Sequence, residues 1–156
     1  MNIDSLNDIA SAIVSPGKGI LAADESSPTI KKRFDSIGVE STEENRKNYR
    51  NMLFTTEGVN KYISGVILFD ETIRQQSPNG VPMVEVLNEA GMIPGIKVDK
   101  GAKALANTSS ETVTEGVDGL RERCQEYVSL GAKFAKWRAV IKIGSNIPSD
   151  LCLTTN

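Results

Sequence analysis

The sequence predicts an α/β protein built from parallel strands alternating with helices, and within that class a (β/α)8 TIM barrel to which this chain supplies roughly the first four βα units. Three observations carry the expectation. Four short apolar runs, at 19–24, 63–70, 93–101 and 134–143, are separated by helix-patterned segments, the alternation that gives a parallel sheet with helices outside. Charged residues stand inside or at the C-terminal ends of these apolar runs, where a barrel carries its active site. Finally, the turn after the first run, "ADESSPTI", holds no glycine, whereas an open doubly wound sheet usually has a Gly-rich turn there. Both architectures fit the alternation, and the turn favours the barrel.

The elements follow in order. "MNIDSLNDIASAIVS" reads as an amphipathic surface helix with Ile3, Leu6, Ile9, Ala10 and Ile13 on one stripe. "GILAAD" is the first apolar run. "SPTIKKRFDSIG" is helical and turns at Gly38. "STEENRKNYRNMLFTT" is a helix with Ser41 or Thr42 as N-cap and Glu43 or Glu44 completing an approximate capping box. Its Glu40, Glu43, Glu44, Arg46 and Lys47 read as a solvated face, with Lys31 another exposed charge. "ISGVILFD" is the second run, followed by a Pro- and Gly-bearing turn and the helix "VPMVEVLNEAG", with Gly91 at its C-cap. "IPGIKVDKG" is the third run. A polar loop around "NTSSET" leads to a helix over about 115–130, stopped by Gly131. "FAKWRAVIKI" reads as a short buried strand, and "IPSDLCLTTN" begins a further helix at Pro148.

Composition narrows the function. With 156 residues, 39% of them hydrophobic, and a formal net charge of −2, the chain has the profile of one soluble domain spanning 1–156. No linker or repeat divides it. Near-neutral charge and 5% aromatics argue against a nucleic-acid partner, and no run approaches the roughly 18 apolar residues of a membrane helix. Acids occupy the start, where a secretory signal would be positive. Cys124 and Cys152 have neither metal nor disulfide spacing, which points to a reducing cytoplasm. The Asn107-Thr108-Ser109 sequon is then a chance match. Zero histidines remove Ser-His and Cys-His nucleophiles and His-ligated zinc, leaving acid–base work to Asp, Glu, Lys or Tyr.

The charges within the runs are the informative feature. Lys97 and Asp99 share one face of the third run, Lys136 and Arg138 one face of the fourth, and Asp24 closes the first. Burying such charges costs several kcal/mol each unless they are paired or meet a charged ligand. The plainer alternatives are a self-satisfying local pair for Lys97 and Asp99 and snorkelling at a strand end for Lys136 and Arg138, both less favoured, while Asp24 is equally readable as a helix N-cap. Asp70 and Glu71, which end the second run, read as caps. Because Lys136 and Arg138 cannot neutralise each other, an anion or acids from elsewhere should face them. Lys32, Arg33, Lys97 and Arg138 together suit phosphate, whose oxygens guanidinium forks grip bidentately. The residues alone thus point to a barrel-type enzyme acting on a small phosphorylated substrate.

Five motifs, "GKGILAADES", "GVILFDET", "GIKVDKG", "DGLRERC" and "GAKFAKWRAVIKIG", closely resemble the class I fructose-1,6-bisphosphate aldolases, and the likeness runs from about residue 3 to the last. The resemblance implies a metal-independent, cofactor-free glycolytic lyase with a (β/α)8 barrel, a homotetramer in its full-length form. Such an enzyme cleaves fructose 1,6-bisphosphate to dihydroxyacetone phosphate and glyceraldehyde 3-phosphate through a lysine imine (Schiff base). It implies that Asp24 assists proton transfer and Lys136 stabilises charge and helps dehydrate the carbinolamine. Lys97 and Arg138 would contact substrate hydroxyls and the C6-side phosphate with Ser26 and Arg33 nearby, and Asp99 would hold Lys97. "ESSPTIKKR" departs from the Gly–Ser pair of many relatives. Family members are roughly twice as long, so the imine-forming lysine is expected beyond Asn156 and the chain alone is expected to be inactive, poorly soluble and open at its outer strands. The competing expectations are a non-catalytic truncated binding or regulatory segment and a doubly wound phosphate-binding protein. Strands lying side by side in chain order would exclude the usual doubly wound orders.

Overall fold

The β-branched and small residues of Ile63–Leu68 build β2, and "IPGIK" builds β3 (Ile93–Lys97). In the computed structural model, which describes residues 5–156, both lie inside a four-stranded parallel sheet. β1 (Gly19–Ala23) and β6 (Phe134–Lys136) flank them, in the order β1-β2-β3-β6. Skipping the hairpin strands β4 (Ala102–Ala104) and β5 (Thr112–Thr114), which pair only with each other, the sheet is strictly in chain order. That is neither of the usual doubly wound orders.

Helices connect the strands: α1 (Leu6–Ile13) precedes β1; α2 (Ser27–Asp35) and α3 (Glu43–Thr55) follow it; α4 (Asp70–Ile73) and α5 (Met83–Glu89) follow β2; α6 (Leu120–Ser129) precedes β6; and α7 (Asp150–Thr155) closes the chain. Val66 and Leu68 of β2, Ile96 of β3, Phe54 of α3 and Met83, Val84 and Leu87 of α5 form the core between sheet and helices. Removing this apolar surface from water is the main driving term. No helix among the described residues is long and apolar enough to cross a membrane.

Several boundaries match the sequence reading. Thr42 caps α3 by accepting from the Asn45 amide at 3.1 Å. Gly131, at φ +100°, stops α6 where an added Cβ would press on Val84. Others are corrected. Of the N-terminal stripe, Ile9 is buried and Leu6 is exposed; Ile3 lies outside the described residues. The fourth run is a strand for three residues only, and 137–143 is irregular and largely exposed. Among the described residues no strand pairs with the far side of β6, so nothing extends or buries it. The polar loop contains the β4–β5 hairpin, and α7 starts after Ser149, which caps it, rather than at Pro148. Arg46 is not on a solvated face: it bonds Glu71 at 2.5 and 2.8 Å in a half-buried pair. Asp70 and Glu71 cap nothing, since α4 has no side-chain cap.

Candidate active site

A cavity of about 750 Å³ opens at the C-terminal ends of β1, β2, β3 and β6. It brings together seven of the residues singled out from sequence: Asp24, Ser26, Arg33, Lys97, Asp99, Lys136 and Arg138 all line it. Lys32, read as part of the basic group, is exposed on α2 and does not line it.

Strand register explains the clustering. In β3 and β6, Lys97 and Lys136 are direct cross-strand partners, so their ammonium groups stand side by side. Each is met by its own carboxylate. Lys97 Nζ donates to Asp99 Oδ1 at 2.7 Å and to the Asp99 carbonyl at 2.6 Å. Lys136 Nζ donates to Asp24 Oδ2 at 2.7 Å, from the far edge of the sheet. Two adjacent cations are therefore tolerated because two acids accompany them. Burial pushes the Asp99 carboxyl up, but the hydrogen bond and charge of Lys97 and the Gly101 amide outweigh it, and its pKa is held below the ordinary range. Asp99 Oδ2 is buried and accepts no hydrogen bond among the described residues. Arg138 forms no ion pair among them either, and is exposed at the rim.

On the opposite wall Ser26 is the N-cap residue of α2, its hydroxyl turned to Thr29 Oγ1 at 3.1 Å. Pro28 in the first turn lacks an amide hydrogen, which leaves one fewer donor where a helix start would favour an anion. Arg33, from the last turn of α2, pairs with Glu25.

Two polar groups here escaped the sequence reading. Arg50 of α3, 2% exposed, reaches the end of β1. Burial pulls its pKa down, and the charge of Glu25 opposes this. Tyr127 of α6 donates to Asp70 Oδ1 at 2.9 Å; burial and the Asp70 carboxylate push its phenol up to about 12. Neither lies in an apolar run, so periodicity gave no signal; a buried arginine on a polar helix is visible only in three dimensions.

The cavity thus holds an ammonium–carboxylate pair able to exchange a proton, beside cations fitted to an anionic ligand. The class I ("glycolytic") fructose-bisphosphate aldolase family model matches residues 5–156. The chain belongs to the class I fructose-bisphosphate aldolase family. It is 58% identical over 156 residues to the probable fructose-bisphosphate aldolase class 1 of Xanthomonas campestris pv. campestris, covering all of this chain and 47% of that protein. It is 59% identical over 151 residues to fructose-bisphosphate aldolase 1 of Toxoplasma gondii, covering 96% and 42%. A solved structure of the Plasmodium falciparum fructose-bisphosphate aldolase, in complex with TRAP and a small molecule inhibitor, superposes with TM-score 0.91 at 54% identity, covering 94% of this chain and 43% of that one. This aldolase segment therefore spans less than half the length of the relatives it matches.

Proposed function

We propose that this chain is the N-terminal part of a cytoplasmic, glycolytic class I aldolase that cleaves fructose 1,6-bisphosphate through a lysine imine without a metal, and that it forms one wall of a (β/α)8 barrel. The observation that carries the reading is the 2.7 Å contact between Asp24 and Lys136 beside Lys97 in one cavity at the strand ends. Sequential parallel strands support the barrel.

In this reading Asp24 takes and returns the proton of the substrate hydroxyl next to the bond that breaks. Lys136 hydrogen-bonds that carboxylate, and its ammonium donates to the oxygen leaving as water when the carbinolamine dehydrates. A carboxylate and an ammonium 2.7 Å apart can trade these roles through one hydrogen bond. Lys97, oriented by Asp99, and Arg138 bind the sugar hydroxyls and the C6-side phosphate, with Arg33 and Ser26 at the same end. The nucleophilic lysine is supplied from beyond residue 156, as is the C1 phosphate site, and the full-length protein assembles as a homotetramer.

The test is to purify the 156-residue chain and offer it fructose 1,6-bisphosphate with and without borohydride. The expected result is weak binding, no cleavage and no trapped imine. Co-expression with the C-terminal remainder of a full-length relative is expected to restore both cleavage and trapping. Cleavage by the chain alone with a trapped imine, or no activity on complementation, overturns the reading.

A further inference from the structure

The carboxylate of Asp24 is useful only if it stays where Lys136 can reach it, yet it lies where the sheet stops holding the chain. The ladder between β1 and β2 ends at Ala23 opposite Leu68, one residue before Asp24. From that point, among the described residues, the backbone is held by a single side chain from another element. Arg50 Nε donates to the carbonyl of Ala23 at 2.7 Å, and Nη2 donates to the carbonyl of Glu25 at 3.0 Å. One rigid planar guanidinium thus bridges the carbonyls of the residues on either side of Asp24.

The same group stands 3.0 Å from Glu25 Oε2, an ionic contact in which that buried oxygen accepts no hydrogen bond among the described residues. Glu25 also pairs with Arg33 at the rim, so a single carboxylate serves two guanidinium groups. An arginine 2% exposed is a costly way to tie a helix to a sheet, since an apolar side chain of similar volume commonly does so at no loss of stability. What an apolar side chain cannot do is grip two carbonyls.

We propose that Arg50 is a positioning residue for Asp24: by bridging the Ala23 and Glu25 carbonyls it fixes the reacting carboxylate against Lys136. The inference rests on the aldolase reading of Asp24 for its purpose, and on backbone geometry alone for its existence.

The test reads the pair directly in the 156-residue chain. Lysines are acylated with a limiting amount of acetic anhydride, and Lys136 is quantified by mass spectrometry against Lys103, which is exposed and forms no ion pair among the described residues. Replacing Asp24 by Asn sets the fully unpaired rate, expected to be about threefold to tenfold faster at Lys136. Arg50→Lys, which cannot span both carbonyls, is expected to raise the Lys136 rate toward that of D24N while leaving Lys103 unchanged. Glu25→Gln, which removes a charge but leaves both carbonyls gripped, is expected to leave Lys136 at its original rate. An R50K chain that is folded by circular dichroism with Lys136 unchanged overturns the proposal. So does an E25Q chain as reactive at Lys136 as D24N, which would trace the effect to charge.

Should R50K not fold, backbone 15N relaxation of the unmodified chain carries the test. Order parameters at Asp24 and Glu25 near the roughly 0.85 of rigid backbone support the clamp, and values below about 0.6 overturn it. Failure to bind fructose 1,6-bisphosphate together with the expected lysine pattern removes the aldolase reading and leaves the positioning of Asp24 standing.

Discussion

Asp24 and Lys136 are 112 residues apart in the chain and belong to opposite edges of a four-stranded sheet, yet their side chains meet at 2.7 Å. Three inter-strand steps in a flat sheet would separate those edges by about 14 Å, with side chains standing perpendicular to it. The contact therefore requires the sheet to curl so that its outer strands converge at their C-terminal ends.

Removing one partner of that pair leaves the other charge half-buried. Lys136→Met is expected to lower stability by roughly 1–2 kcal/mol, and the double variant with Asp24→Asn to recover part of the loss. Urea denaturation of the single and double variants measures the coupling; strictly additive losses would show that the two groups do not interact.

Lys97 and Arg138 are predicted to carry affinity for the phosphorylated ligand. Either residue changed to Met should weaken fructose 1,6-bisphosphate binding about tenfold, the size of one charge-assisted hydrogen bond. Calorimetry at two salt concentrations checks it, with the affinity of the unmodified chain falling as salt rises.

Gly95 of β3 has no room for a side chain: an added Cβ would overlap the Phe134 ring. Gly95→Ala should push Phe134 aside and loosen β6, costing about 1–3 kcal/mol. Because Lys136 is two residues further along β6, its contact with Asp24 should weaken too. Pairing G95A with Phe134→Leu should return part of the stability in a thermal melt.

The Tyr127 phenol should ionise near 12, against about 10 for an ordinary tyrosine. Its folded pKa is the higher one, so the stability it contributes is whole below about pH 10 and lost as pH rises toward 12. Absorbance titration compared with Tyr127→Phe reads the midpoint, and the variant should lose about 1 kcal/mol at neutral pH with its hydrogen bond to Asp70.

Asp99 behaves in the opposite sense. Its folded pKa lies below the ordinary value of about 3.9, so its contribution is present above that pH and lost as pH falls through the folded value. Asp99→Asn should flatten the acid limb of the urea midpoint plotted against pH.

The central strands were legible because Ile63–Leu68 and Ile93–Lys97 are buried on both faces and read as unbroken apolar runs. The edge strands were less so. β1 is partly exposed and β6 stops after Lys136, because pairing on one side only neither buries nor extends a strand. The site was legible through its unusual placement of charge: two like charges in 134–143 demanded an acid from elsewhere, and Asp24 is that acid for Lys136. Arg50 and Tyr127 were not, since their work depends on which backbone atoms and carboxylates the fold brings near. The β4–β5 hairpin was missed for a related reason, its three-residue strands being too short and too polar to show alternation.

Each strand of the parallel sheet pairs with the one made before it, so a nascent chain can zip the sheet in the order the ribosome delivers it, without waiting for a distant partner. Asp24 is then in place early, and Lys136 arrives with β6. Assembly of the sheet during translation consequently ends with the closing of the contact between Asp24 and Lys136.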